Sequence, residues 1–350
     1  MPHTRPARSF AVPRGFTIVE LMVSLVLFSV AVAGVLSVAV TLSSAFRDQR
    51  AIISTESAAR SPMAFLSDVL RNASPGVQNG QITDYSAQPA TVACTAPSAM
   101  TVTNNAAGPI PAAGTDAIDV IYASGAVVTS SRLMWDNSTN QLPVFDASGI
   151  APGDYIILTN TTTGIFIKVT AVVGNTLTLA NPTCLTNVVP GTGYPSGSIV
   201  IRAMHAKFYV DANFEASVPP VVPVPGLMMQ LEPNSAAPPA PQPLSDGIED
   251  LQLALGMDWI LPPDNAISEL GAAPNDDEWI FNKTGDTMQV GPVRSIRLTL
   301  VARAVNGNAG TNNLTFNRPA AEDHAVGGPD GFRRRVLQTT VEIRNFGGSP

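Results

Sequence analysis

Charge disappears from the chain between Leu21 and Leu42. A helix of those 22 residues, rising about 1.5 Å each, is long enough to cross the roughly 30 Å apolar core of a bilayer. A basic segment with Arg5, Arg8 and Arg14 precedes it, which predicts that the N-terminal side stays cytoplasmic. Beyond Leu42 the pattern changes. Arg47-Asp48-Gln49-Arg50 marks an exit into water, and Ile52, Ile53, Phe65, Leu66, Val69 and Leu70 then recur at helical spacing among Ser, Ala, Glu and Arg. One helix is therefore expected from Phe16 to about Asn72, kinked or locally broken at Pro62 and ended by Asn72-Ala73-Ser74-Pro75-Gly76. Its apolar half needs lipid or other helices as partner. Its amphipathic half needs a sheet.

The remaining pattern supplies one. Residues 77–115 show little periodicity and predict loops with short strands. Ala117–Tyr122 is a strand candidate, and 153–159 and 165–172 are β-branched runs joined by Asn160-Thr161-Thr162-Thr163-Gly164, a hairpin pattern. Thr176–Ala180 alternates strictly, and Ser198–Ala203 and Ala206–Val210 are expected as two further strands. Residues 218–243 hold nine prolines, which predicts extended or irregular chain unable to donate regular ladder bonds, or a linker, broken by a short strand at Gly226–Leu231. A turn at Asp246-Gly247 leads into a strand from Ile248. Residues 259–291 look irregular, while Val293–Arg303 and 332–345 alternate as closing strands.

Composition changes the picture in two ways. Only 13% of residues are charged, and 27 Gly and 30 Pro stand among many Thr, Val and Asn, which suits an extracytoplasmic β protein better than a helical cytosolic enzyme. The formal charge is −7; without residues 1–15 it is 17 basic against 27 acidic side chains, or −10. An acidic surface of that kind argues against broad nucleic-acid binding.

The candidate chemistry sits at the head of the apolar run. Glu20 is a carboxylate where a membrane span begins, and such a group is unfavourable unless paired. Gly15-Phe16-Thr17-x-x-Glu20 resembles the type III signal of type IV pilins and type II secretion pseudopilins. A secretory signal would place its small-residue cleavage site after the apolar core, whereas Gly15 lies before it. The resemblance implies cleavage by prepilin peptidase between Gly15 and Phe16 and N-methylation of the new Phe16 amine. It also implies filament assembly of the hydrophobic helix, with Glu20 neutralising the amine of a neighbouring subunit. Two charges that are each costly in lipid become tolerable as a pair.

The resemblance narrows to PilW-type minor pilins on four further stretches: Gly153-Asp154, Asp246–Gln252, Val293–Arg303, and Arg333-Arg334-Arg335-Val336 with Val341-Glu342-Ile343-Arg344-Asn345. It implies an α+β fold, a long N-terminal helix packed by its second half on antiparallel sheet. The expected organisation is a leader at 1–15, a membrane or filament-core helix at 16–45, its amphipathic continuation at 46–75, and a β-rich exported domain at 76–350. Implied partners are other major and minor pilins, prepilin peptidase, the inner-membrane assembly platform and membrane lipid, with no small-molecule substrate. The chain would be a single-pass inner-membrane precursor that moves into a pilus. A J-type pseudopilin of type II secretion has a similar layout, and an exported adhesin or DNA-uptake module is the alternative of another class.

Cys94 and Cys184 fall in the exported part, where an oxidising compartment favours a disulfide. Closing a loop of that length is worth roughly 4–5 kcal/mol in a chain-entropy model; two separate buried thiols are the alternative. No catalytic site, cofactor or metal is expected. His205 and His324 stand at no ligand spacing from a cysteine. Asp276-Asp277-Glu278 lacks the spacing of a calcium loop. Arg333-Arg334-Arg335 is expected as a solubilising edge face rather than a partner contact.

Overall fold

A computed structural model of the chain describes residues 15–86, 98–135, 139–180, 193–215, 223–235, 237–257, 267, 279–286, 293–305 and 315–343. Cys94, Cys184 and Asp276–Glu278 lie outside those residues. The chain divides into two units, Met1–Arg50 and Ala51–Pro350.

In the first unit helix α1, Ile18–Arg71, begins. Its stretch Ile18–Phe46 is 29 residues long and apolar enough to span a membrane. Its large side chains are exposed, from Phe16 and Ile18 to Leu42 and Phe46. Such a surface is stable only in lipid or against other helices.

In the second unit α1 continues from Ala51 and buries one stripe: Thr55, Ala59, Pro62, Met63, Leu66, Val69 and Leu70. The spacing of three and four is that of an amphipathic helix. Of the kink or local break expected at Pro62, the break does not occur, because α1 runs on through it. Proline removes the N–H that would serve the carbonyl four residues earlier, here Ala58. The Ser245 hydroxyl donates to that carbonyl at 2.8 Å instead. After the helix, Ser74 N–H donates to Ile121 O and Ala123 N–H to Asn72 O, which fastens its end to the sheet.

Sixteen strands follow among the described residues: β1 Ile82–Asp84, β2 Met100–Thr103, β3 Ala117–Ser130, β4 Gln141–Pro143, β5 Tyr155–Thr159, β6 Gly164–Val173, β7 Thr176–Leu179, β8 Ile199–Glu215, β9 Val224–Leu231, β10 Gln242–Asp246, β11 Ile248–Met257, β12 Trp279–Ile280, β13 Val293–Arg303, β14 Phe316–Asn317, β15 Pro329–Asp330 and β16 Arg334–Glu342. Ten of them form one sheet, with β10-β9-β8-β5-β6-β7-β4 along its path and β1, β2 and β3 attached. A second sheet runs β12-β11-β13-β16, all antiparallel. One core joins the α1 stripe to inward residues of both sheets, among them Ile118, Phe208, Leu251, Leu298 and Val341. A separate core holds Ile156, Leu158, Ile165 and Ile167 against Leu142, Val144, Leu177 and Leu179. β5 faces both, so all five of its residues are buried. A continuous apolar run is what such a strand requires.

Three strand expectations change. The segments 198–203 and 206–210 are one strand, β8, because Met204 and His205 stay extended between them. Its partner β3 runs eight residues beyond Tyr122, to Ser130. The proline-rich stretch contributes not only the expected strand, as β9 from Val224, but also β10 to the large sheet. Pro225 is tolerated because the β8–β9 register shifts between Asp211 and Glu215, where a ladder donor is dispensable. Pro243 lies in the edge strand β10, beside a second shift.

Asp116 helps to stitch the two sheets together. Asp116 N–H donates to Leu251 O at 2.8 Å, and Leu253 N–H donates to Asp116 Oδ2 at 2.8 Å, so the residue before β3 completes the edge of β11. Gly247, at φ +75°, makes the turn that lets Gly247 N–H reach Pro225 O at 2.7 Å.

Candidate functional site

The site is built on the first turn of α1, where four N–H groups lack helical partners. Thr17 immediately precedes the helix. Its Oγ1 accepts from Glu20 N–H at 3.2 Å, while Glu20 Oε2 accepts from Thr17 N–H at 3.1 Å. The hydroxyl also donates to Oε2 at 3.1 Å. This is a capping box, T-x-x-E, in which each residue satisfies the other's backbone donor. It also places the carboxylate at the positive end of the helix dipole. Glu20 Oε1 has no hydrogen-bond partner among the described residues. Phe16 is 81% exposed, and nothing approaches within 4 Å of where a Gly15 Cβ would lie.

The structure therefore brings Gly15, Phe16 and Glu20 together with a fourth residue, Thr17, whose part the sequence reading left unassigned. The capping-box spacing was the signal that marks it. Farther along the span, Gly34 lies beside Ala31 and Val38 in a shallow groove, with no atom within 4 Å of an added Cβ. Small residues on a membrane helix let another helix approach closely.

The two histidines sit in separate polar clusters of the second unit. His205, 5% exposed, places Nδ1 at 3.2 Å from Asp84 Oδ2 and Nε2 at 3.9 Å from Asp119 Oδ1. Burial alone would raise the Asp84 carboxyl, but the hydrogen bond and charge of His205, helped by Ser86, outweigh it and hold it below its usual range. For Asp119 burial prevails over Lys207 and His205, and its carboxyl is raised. His324 Nδ1 lies 2.7 Å from Asp250 Oδ2, with Arg318 Nη1 at 3.3 Å from the same oxygen. Asp116 lies near this second cluster, and burial pushes its carboxyl up to about 8 against its two N–H donors. No group of three His, Cys, Asp or Glu placed to hold a metal occurs among the described residues.

The arginine run departs from expectation. The side chain of Arg334 is 4% exposed and is gripped by Glu249, at 2.6 and 3.1 Å, and by Asp330. Arg333 stacks over Phe316 at 4.6 Å. Only Arg335 is an exposed edge residue. A buried charge needs an opposite one, and Glu249 comes from the neighbourhood of the β11 turn, 85 residues away in sequence.

Residues 207–345 match the family model of the type IV pilus-assembly protein W, and residues 13–36 match that of the prokaryotic N-terminal methylation motif. No curated protein and no solved structure matches the chain. The first match starts inside β8 and takes in the whole four-stranded sheet. The second holds Gly15, Phe16, Thr17 and Glu20. Together they are the matches of a PilW-type pilin with a prepilin-type signal.

Proposed function

We propose that the chain is a minor pilin, a structural subunit that primes, joins or tips a type IV pilus, and not an enzyme. Residues 1–15 would be the leader, removed between Gly15 and Phe16, and the Phe16 amine would be methylated. The observation that carries the reading is the Gly15–Glu20 signal capping a helix whose stretch from Leu21 to Leu42 is exposed and uncharged, in the same chain as a PilW-type sheet. Before assembly the helix would sit in the inner membrane with its N-terminus cytoplasmic. In the filament it would pack against other pilins, and the free Oε1 of Glu20 would receive the amine of a neighbour. A type II secretion pseudopilin of the J type, which is similar in layout, is the alternative within this class.

Mass spectrometry of the chain recovered from sheared surface fibres tests this. Methylated Phe16 is the expected N-terminus, and Gly15→Val should leave uncut precursor in the inner membrane. Any other terminus sinks the signal reading. Deleting the protein should remove surface pili; lost enzyme secretion with normal pili would assign it to the secretion system instead.

A further inference from the structure

Among the described residues the second sheet ends in β16, whose outer edge is open. Arg294 O accepts from Ile343 N–H, and Arg333 O accepts from Ala304 N–H, each at 2.9 Å. Bonded pairs alternate along an antiparallel ladder. The β13–β16 register then makes 335, 337, 339 and 341 the residues whose N–H and C=O face β13. Those of Val336, Gln338, Thr340 and Glu342 face away, and none of them has a hydrogen-bond partner among the described residues. All four residues are exposed.

This edge carries charges at its two ends but lacks two other guards, a proline and a bulge. The β13–β16 register holds over nine pairs without a shift, and β16 contains no proline. The far edge of the large sheet is different, because β10 carries Pro243 and a register shift. Long, regular edges invite another strand. Here a blocked edge and an open one stand in the same molecule.

We infer that β16 receives an extended strand of a different exported polypeptide, which adds to the four-stranded sheet by main-chain hydrogen bonds. Arg335 is exposed at one end of the edge and Glu342 at the other, with Val336 and Thr340 between. Glu342 has no salt-bridge partner among the described residues. The fitting strand is therefore β-branched at its centre, acidic beside Arg335 and basic beside Glu342. A second copy of this chain would also offset these charges, but a two-fold axis normal to the sheet reverses every direction in its plane. Residues 51–71, packed on that sheet, would then point opposite ways in the two copies. This exclusion rests on the pilin reading, in which all N-termini enter one membrane. The experiment does not.

The probe is a synthetic peptide of alternating threonine and valine with lysine at its N-terminal and glutamate at its C-terminal end. It is added to the purified full chain in detergent, and amide hydrogen exchange is read residue by residue. In the chain alone the amides of Val336, Gln338 and Thr340 should exchange fast and those of Leu337 and Thr339 slowly. The peptide should slow the first three and leave the other two unchanged. Gln338→Pro deletes an outward N–H and no ladder bond, so it should abolish this protection without removing that of Thr339. If that variant does not fold, a peptide N-methylated on the amides that face β16 serves the same purpose and should give no protection. Exchanging lysine and glutamate in the peptide should weaken binding about ten-fold, since two attractive contacts become repulsive. Unchanged exchange with excess peptide overturns the proposal. Slow exchange of the three outward amides in peptide-free chain, with a dimer mass by light scattering, gives the edge to a second copy and overturns it too.

Discussion

Glu20 has two duties that one substitution to alanine would remove together. Its Oε2 is committed to Thr17, and its Oε1 is free for a neighbour's amine. Glutamine separates the two, since its amide oxygen still closes a capping box but carries no charge. Glu20→Gln should keep the helix start and the cleavage of the leader, yet lower incorporation into sheared fibres about as much as Glu20→Ala. Thr17→Ala should weaken the cap by about 1 kcal/mol and leave incorporation largely intact. If Glu20→Gln assembles normally while Thr17→Ala does not, the glutamate acts through the cap alone. Two buried carboxyls illustrate how stability responds to pH. Asp84 is held low, so its contribution is present above its unfolded value near 3.8 and is lost as pH falls through the folded one. Asp116 is held high: the folded chain keeps a proton that the unfolded chain has released. Its contribution is complete below the unfolded value of 3.8 and is lost as pH rises through about 8. The urea midpoint should fall between about pH 5 and about pH 8 and level off above that, and Asp116→Ala should flatten that decline. A midpoint that stays level in the parent chain would remove Asp116 from this role.

Elements were legible where one local pattern decides them. The uncharged run, the alternation of 293–303 and the hairpin around Asn160-Thr161-Thr162-Thr163-Gly164 each carry their own signal, and they appear as α1, β13 and the β5–β6 pair. Pro62 was illegible for a physical reason. Its effect depends on who serves the Ala58 carbonyl, and the donor is Ser245, 187 residues away. Likewise the prolines of β9 and β10 are admitted by register shifts that only the partner strands define. In the candidate site the residues were legible and the Thr17–Glu20 reciprocity was available in the spacing. The carboxylates around His205 and His324 were not, since they come from strands far apart in the chain. The helix account predicts a coupling. Ser245→Ala should cost about 1 kcal/mol, because a partly buried carbonyl loses its donor. In a Pro62→Ala background the same change should cost less, because the restored N–H can serve Ala58. Additive losses in that double-mutant cycle, measured by denaturant unfolding, would mean that Ser245 acts elsewhere.

At the scale of the molecule, the two units differ in what they need. The first presents an apolar helix whose large side chains are exposed among the described residues, whereas the second closes around its own core. The boundary between them does not coincide with the end of α1. Ala59, Met63, Leu66, Val69 and Leu70 belong to the second unit's core, all at 8% exposure or less. A fragment starting at Ala51 should therefore be soluble without detergent and unfold cooperatively. A fragment starting at Asn72 loses five side chains that both sheets pack against. Burying a large aliphatic is worth about 2 kcal/mol, and a domain's whole stability is only about 5–15 kcal/mol, so this loss consumes most of it. The exposed groove on the sheets would also be a continuous apolar patch. The shorter fragment should aggregate, or bind a hydrophobic dye without a cooperative transition. Light scattering and thermal unfolding of the two fragments, purified side by side, decide the matter. If the Asn72 fragment folds as well as the Ala51 fragment, the second half of α1 is an accessory laid on a self-sufficient sheet. If neither folds, the second unit depends on the first, and the division at Arg50 has no independent meaning in solution.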